Sequence, residues 1–181
     1  GMNQYVPKSV MATGGKYAFP NDAMETPDTM MAVYDFGDFG LLWDHTIGIY
    51  GAQYGNRGHG VAFVGEYGTL VVDRSGWEVI PETRSTSAKD GYEGVPLQKG
   101  TGQGLDLHVK NFLDCIKTRE KPNCDVEIGA HIARFAHLGN ISYRLGRKVF
   151  WNPEKQEFIN DAEANEMVKA HYRAPWKLPD V

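Results

Sequence analysis

The triplet Glu120-Lys121-Pro122 contains a lysine, one of the side chains that can transfer a proton in an enzyme. Whether Lys121 could do so depends on where the fold places it. Pro122 interrupts the apolar helical pattern before it, and Asp125 is a suitable first residue for a following helix. We therefore predict that Lys121 lies in a tight connection between two helices and is exposed to solvent.

Motifs that bind a nucleotide or a metal are absent from the sequence. The stretch GTGQG, residues 100–104, lacks the spacing of a dinucleotide-binding turn and a preceding buried strand. There is no P-loop, no GxSxG, and no CxxC or HExxH spacing. Cys115 and Cys124 are the only cysteines; a bridge between them is conceivable, but free thiols are favoured. We assign no catalytic, cofactor-binding or metal-binding residue to this chain.

The composition indicates a globular protein, because 41% of the residues are hydrophobic and 23% are charged. A length of 181 residues suits a single domain spanning residues 1–181. The net charge of −4 argues against a nucleic-acid partner. No apolar run approaches the roughly 20 residues of a membrane span, and residues 2–10 lack the features of a signal peptide. We expect a cytoplasmic protein with no membrane partner.

The first half of the sequence is rich in strand-forming residues. Short turns join the strands, which favours antiparallel pairing. The predicted strands are SVMATGG, TMMAVYDF, FGLLWDHTIGIY, GVAFVGE, GTLVVDR and WEVIP. Several are apolar on both faces: the second strand has Met30, Ala32, Tyr34 and Phe36 opposite Met31 and Val33. A sheet with one wet face alternates more cleanly, so we expect another protein surface to cover the second face.

The second half has helical periodicity. Residues 82–104, rich in Gly, Ser and Lys, are predicted to be a long flexible loop before it. One helix ends near residues 117–119, a second runs from Asp125 to Leu145, and a third extends through Ala170. The second helix carries small residues that allow close approach to a neighbour, namely Gly129, Ala133, Ala136 and Gly139 or Asn140.

Four segments carry a resemblance to a known family: FVGEYGTLVVD (63–73), HVKNFLDCIKTREKPNCDVEIGAHIARFAHLGNISYRLGR (108–147), WNPEKQEF (151–158) and DAEANEMVKAHYRAPWKLP (161–179). Together, in this order and spacing, they resemble the C-terminal domain of the Gfo/Idh/MocA oxidoreductases, the family of glucose-fructose oxidoreductase and inositol dehydrogenase, and especially its bacterial-type branch. The resemblance implies an α/β (α+β) domain with an open, mostly antiparallel sheet. Helices cover one face of that sheet, and the other face is available for homo-oligomerisation.

The resemblance also implies an activity for the whole enzyme. Such an enzyme moves a hydride between NAD or NADP and a sugar or polyol, with the lysine of a Glu-Lys-Pro motif and the histidine of a DxxxH motif in catalysis. The Rossmann domain and the lysine are expected upstream of residue 1, and the DxxxH motif is expected upstream of the stretch that Pro7 to Gly15 resembles. No aspartate in this chain has a histidine four positions later. We therefore expect this chain alone to bind no cofactor and to be inactive.

Three residues on or beyond the third predicted strand are candidates for contacting a sugar or polyol substrate: His45, Tyr50 and Arg57. They could reach the active-site crevice that the resemblance implies, where polar groups bond hydroxyls and an aromatic ring stacks on a sugar. The alternatives are a half-buried strand histidine for His45, and interfacial or solvated side chains for Tyr50 and Arg57.

Two functions are consistent with the sequence. The first is the substrate-binding and oligomerisation domain of an NAD(P)-dependent sugar or polyol oxidoreductase, present as a fragment, a truncated reading frame or one half of a split enzyme with a separate Rossmann-domain polypeptide. The second is a stand-alone, non-catalytic module that binds carbohydrate or a protein. A cofactor-free enzyme is disfavoured, because no nucleophile and base are paired in the sequence.

Overall fold

The computed structural model describes residues 2, 5–49, 57–83, 92–169 and 172–177. Its strands are β1 (Ser9–Gly15), β2 (Thr29–Asp35), β3 (Gly40–Thr46), β4 (Val61–Val64), β5 (Gly68–Asp73), β6 (Gly76–Pro81), β7 (Val95–Lys99), β8 (Val149–Asn152) and β9 (Glu157–Phe158). Its helices are α1 (Gly104–Thr118), α2 (Val126–Leu145) and α3 (Ala162–Glu166). The chain groups into two compact units: the first unit is Gly1–Gly48 with Val126–Val181, and the second unit is Ile49–Asp125. A single domain over residues 1–181 stays a prediction.

The described strands form two antiparallel sheets. The first unit has five strands in the order β3-β2-β1-β8-β9, and the second has four in the order β4-β5-β6-β7. The predicted α/β (α+β) class with open antiparallel sheets is confirmed. One sheet was expected and two are found. Alternation and turn length identify strands and their local pairs, but they do not show which strands pair over long distances.

The sheet of the first unit has the two faces that the alternation of β2 predicts. Met30, Ala32 and Tyr34 are buried, whereas Met31 and Val33 are exposed. The buried side packs against α2 and forms the core, together with Val10, Ala12, Leu138, Ile141 and Val149. The apolar side chains on the opposite side of the sheet are left accessible.

A glycine allows α2 to lie close to this sheet. The Tyr34 hydroxyl donates to the carbonyl oxygen of Phe135 at 3.0 Å, and a Cβ on Gly139 would lie 2.3 Å from that hydroxyl. The predicted close approach is thus confirmed at Gly139. At Gly129, near the start of the same helix, an added Cβ would meet nothing within 4 Å.

Ser142 fastens α2 to β1 with a buried hydroxyl. The backbone N–H of Ala12 donates to Ser142 Oγ at 3.0 Å, and Oγ lies 2.8 Å from the carbonyl oxygen of Arg147, to which it donates. Strand β8 pairs with β1 only at Ser9 and Val10. Ser142 therefore supplies an acceptor where the ladder between these strands has ended.

In the second unit, β7 lies inside the segment expected to be a loop. It pairs with β6 at the edge of the sheet and carries Pro96 and Lys99. Proline and lysine are typical of edge strands and weaken the strand signal in the sequence. The expectation of an uninterrupted loop over residues 82–104 is therefore corrected at Val95–Lys99, and residues 84–91 of it lie outside the described residues.

The helix ends agree with the sequence for α1 and α2. Arg119 ends α1 in the left-handed conformation (φ 63°), and Gly146 follows α2 with φ 65°. The Asp161 carboxylate accepts from the backbone N–H of Ala164 and starts α3. This third helix ends at Glu166 and is shorter than predicted.

Candidate functional site

The three candidate substrate contacts lie in different parts of the chain. His45 is in β3 of the first unit, and Arg57 belongs to the second unit. Tyr50 lies outside the described residues. The surroundings of His45 and Arg57 are therefore described separately.

His45 is half-buried on the edge strand β3 and pairs with Met30 of β2. It shares a face with Trp43, whose side chain is 52% exposed. An accessible indole two residues from an imidazole offers a flat apolar surface beside a hydrogen-bonding group. Sequence reasoning did not include Trp43 among the candidates, although side chains two residues apart in a strand lie on the same face.

The end of β3 is held by Asp28, which the sequence analysis also missed. The fully buried Asp28 carboxylate accepts hydrogen bonds of 2.8 to 3.0 Å from the N–H groups of residues 17–19 and from the Thr29 hydroxyl. The backbone carbonyl oxygen of Asp28 accepts a hydrogen bond of 2.9 Å from the N–H of Ile47, which directly follows β3. One aspartate therefore fixes both the β1–β2 loop and the chain that leaves β3.

The ionised form of Asp28 is strongly favoured. Burial opposes ionisation of this carboxyl, but hydrogen bonds from the N–H of Phe19, the Thr29 hydroxyl and the N–H groups of Tyr17 and Ala18 outweigh it and lower the pKa to about 2. The loop is thus built around a permanent negative charge at neutral pH.

Arg57 is held by two carboxylates of the second sheet. Its Nη1 lies 2.8 Å from Asp73 Oδ1, and its Nη2 lies 2.6 Å from Glu78 Oε1. The side chains of Arg57 and Asp73 are each only 10% exposed. Asp73 ends β5 and Glu78 lies in β6, so Arg57 fastens its segment across both strands.

These contacts also shift the protonation equilibria. The hydrogen bond from Arg57 to Glu78 is the largest cause of a raised pKa for the guanidinium, and burial opposes it. The hydrogen bond from the Ser75 hydroxyl is the largest cause of the lowered pKa of Asp73, which is about 2, with Arg57 contributing. Arg57 and Asp73 are therefore both charged at neutral pH.

Lys121 has the position that the sequence predicts. It lies between α1 and α2 with its side chain 67% exposed, and its Nζ is 2.5 Å from Asp125 Oδ2. The prediction of a solvent-exposed lysine in a helix connection is confirmed. Its partner is a neighbouring carboxylate in the same connection.

The glycine-rich residues 100–104 do not have the setting of a dinucleotide-binding turn. The glycines of residues 100–104 follow β7, an edge strand of an antiparallel sheet, whereas a dinucleotide-binding turn follows a buried parallel strand.

Among the described residues, no three His, Cys, Asp or Glu side chains come together to hold a metal. No helix in the described part of the chain is long and apolar enough to cross a membrane.

The side of the first sheet away from α2 is an apolar surface, called here the outer face. Five side chains that are 42 to 64% exposed form it: Met11, Met31, Val33, Leu42 and Phe150. They come from four neighbouring strands. Met11 of β1 pairs with Val33 of β2, and Val33 pairs with Leu42 of β3. Phe150 of β8 pairs with Ser9 of β1. The prediction that the strands are apolar on both faces is confirmed.

Comparison with known proteins agrees with this architecture. Residues 103–178 match the family profile described as "Oxidoreductase family, C-terminal alpha/beta domain" of the Gfo/Idh/MocA type. The predicted resemblance is confirmed for this part of the sequence: residues 103–178 are similar to the C-terminal domain of the Gfo/Idh/MocA oxidoreductases. No curated protein matches the chain.

Two solved structures, with TM-scores above 0.5, share the fold of this chain. YvaA of Bacillus subtilis, assigned as an oxidoreductase, is 13% identical with a TM-score of 0.56, and the match covers 81% of this chain and 46% of YvaA. A Bacteroides fragilis protein with the same assignment is 11% identical with a TM-score of 0.52, and the match covers 80% of this chain and 47% of that protein. The WlbA dehydrogenase of Bordetella pertussis, solved with NADH and UDP-GlcNAcA, is 14% identical with a TM-score of 0.47. The match covers 81% of this chain and 40% of WlbA. The chain spans less than half the length of each.

Proposed function

We propose that this chain is the substrate-binding and oligomerisation domain of an NAD(P)-dependent sugar or polyol oxidoreductase. The observation that carries the proposal is the match of residues 103–178 to the family's C-terminal domain. The fold shared with two oxidoreductase structures supports it. NAD or NADP supplies hydride transfer when it is bound, and in this proposal another domain, on the same or a separate polypeptide, holds it.

The oligomerisation part of the proposal is supported by the outer face. Five partly exposed apolar side chains on adjacent strands form a surface that is more stable when another protein covers it. We propose that a second copy of the chain packs there. The prediction is that light scattering finds a dimer or a higher oligomer at micromolar concentration.

Leu42→Asp tests which surface forms the contact. Leu42 is 64% exposed, so the substitution adds a charge to the outer face without removing a core side chain. Asn140→Asp is the matched control, since Asn140 is exposed on α2, on the opposite side of the sheet. Leu42→Asp should give a folded monomer and the control should remain oligomeric. A wild-type protein that is a monomer would refute this part of the proposal.

The substrate-binding part concerns His45, Tyr50 and Arg57, which we retain as candidate contacts to the hydroxyls of a sugar or polyol. The support is that His45 lies beside the accessible indole of Trp43, and that Asp28 fixes the chain after β3. Arg57 is retained from the sequence alone, because in the structure its guanidinium is paired with Asp73 and Glu78.

The assay uses this chain together with the polypeptide or domain that binds the nucleotide. It measures NAD(P) reduction over a panel of sugars and polyols. Loss of one hydrogen bond to a substrate should raise KM by about tenfold, so His45→Ala should raise KM and the exposed control His59→Ala should not. If no sugar or polyol is oxidised, but the isolated chain retains carbohydrate or a protein partner, the stand-alone binding module is favoured instead.

A further inference from the structure

A partly open cavity of about 340 Å³ lies in the first unit, between the β1–β2 loop and the last two turns of α2. This volume falls within the range of about 300–1,000 Å³ that is typical of small-molecule pockets. Three lining residues come from the loop and three from the helix: Glu25, Thr26, Pro27, Asn140, Tyr143 and Arg144. This loop–helix cavity therefore combines charged, polar and apolar groups.

Buried contacts hold both walls of the loop–helix cavity in place. On the loop, Asp28 directly follows the lining residues, and its fully buried carboxylate accepts from the N–H groups of residues 17–19. On α2, Gly139 and Ser142 each lie next to a lining residue. Gly139 lies against the Tyr34 hydroxyl, and the Ser142 hydroxyl is hydrogen-bonded to β1. Because these contacts fix the backbone of both walls without a ligand, binding there costs less conformational entropy.

Two opposite charges line this cavity without forming an ion pair with each other. Glu25 and Arg144 are both exposed, and within the described part of the chain neither side chain forms an ion pair or a hydrogen bond. The guanidinium groups of Arg57 and Arg147, in contrast, are each paired with two carboxylates. The carboxylate of Glu25 and the guanidinium of Arg144 are therefore both available to a ligand.

The two charges determine the chemical class of that ligand. A neutral sugar leaves both charges without a counter-ion, and a small anion is attracted by Arg144 but repelled by Glu25, with the reverse for a small cation. A zwitterion satisfies both, because its carboxylate accepts from the guanidinium and its ammonium group donates to the Glu25 carboxylate. Pro27 is buried and Tyr143 packs against the core, so both offer fixed apolar surface to an aliphatic side chain.

We propose that the loop–helix cavity binds a free amino acid with an aliphatic side chain, a function beyond that of the oxidoreductase domain. The experiment titrates the isotope-labelled full chain with L-leucine and follows the backbone amide signals by NMR. The expected Kd is on the order of 1 mM, and the signals that shift should be those of residues 25–26 and 140–144. Isocaproate lacks the ammonium group of leucine and isoamylamine lacks its carboxylate, so each should bind at least about tenfold more weakly.

Single variants show whether the two charges bind the ligand. Arg144→Met and Glu25→Gln should each weaken leucine binding by about tenfold. Both residues are exposed, so the substitutions leave the core intact, which circular dichroism checks. Arg74→Met and Glu154→Gln change exposed residues outside the cavity and should bind leucine as the wild type does. An absence of shifted signals at about 10 mM leucine, equal affinity for leucine and either analogue, or wild-type affinity in either charge variant would overturn the proposal.

Discussion

The contact between Gly139 and Tyr34 gives a quantitative test of how α2 packs on the first sheet. In Gly139→Ala the new Cβ would lie 2.3 Å from the Tyr34 hydroxyl oxygen, 3.4 Å from its Cζ and 3.7 Å from the Ala32 Cβ. Tyr34 is only 3% exposed, and its hydroxyl is bonded to the Phe135 carbonyl oxygen. Burial raises the pKa of Tyr34 to about 12, so the hydroxyl keeps its proton and remains a hydrogen-bond donor.

The magnitude follows from three effects. Overpacking a core costs about 1–3 kcal/mol, and loss of the buried hydrogen bond costs about 1–3 kcal/mol. Replacing glycine by alanine inside a helix returns about 1 kcal/mol. We therefore expect Gly139→Ala to lower the free energy of unfolding by about 1–5 kcal/mol. Gly129→Ala is the matched control in the same helix: it meets nothing within 4 Å and should be neutral or stabilising by up to about 1 kcal/mol.

The assay is urea unfolding followed by circular dichroism. It compares Gly139→Ala, Gly129→Ala, Tyr34→Phe and the double variant Tyr34→Phe/Gly139→Ala. Removing the hydroxyl removes the atom that the new Cβ meets. Gly139→Ala should therefore lower the free energy of unfolding less in the Tyr34→Phe background than in the wild type. The difference between the two losses is the coupling energy of the two residues. Equal costs in both backgrounds, or a Gly139→Ala variant as stable as Gly129→Ala, would show that α2 is not seated as described.

Three further predictions concern individual buried contacts. Ser142→Ala should lower the free energy of unfolding by about 1–3 kcal/mol in the same urea assay, because the N–H of Ala12 loses its acceptor. The folded-state pKa of Asp28, about 2, lies below the usual value near 3.9. The stabilisation of the folded state by ionised Asp28 should therefore be complete above pH 4 and decline as pH falls from 4 to 2. Asp28→Asn should remove that part of the pH dependence of the free energy of unfolding. Arg57→Met should destabilise the protein more than Arg74→Met, measured by thermal unfolding, because it leaves Asp73 and Glu78 without their cation. Equal melting temperatures for the two arginine variants would argue against the cluster as a fastening point.

Local rules explain why much of the fold was predictable from the sequence. The alternation of β2 gave the correct buried and exposed faces, because side-chain direction in a strand has a period of two residues. The position of Lys121 followed from Pro122 and Asp125 alone. The close approach at Gly139 followed from the small residues of α2.

The remaining features depend on contacts between distant residues. The sequence does not show that Arg57 meets Asp73 and Glu78, or that Ser142 accepts from Ala12, since both depend on pairing across long segments. The same reason explains why two sheets were predicted as one. Asp28 could have been suspected from its Pro27-Asp28-Thr29 context, which is typical of a turn, but its three N–H donors could not.

We propose that this chain forms the C-terminal part of an oxidoreductase and does not itself hold the dinucleotide. Isothermal titration calorimetry of the 181-residue chain with NADH and with NADPH tests it most directly. The account predicts no measurable binding of either nucleotide by this chain, and binding once the nucleotide-binding domain is joined to it. Stoichiometric micromolar binding by the chain alone would contradict the account.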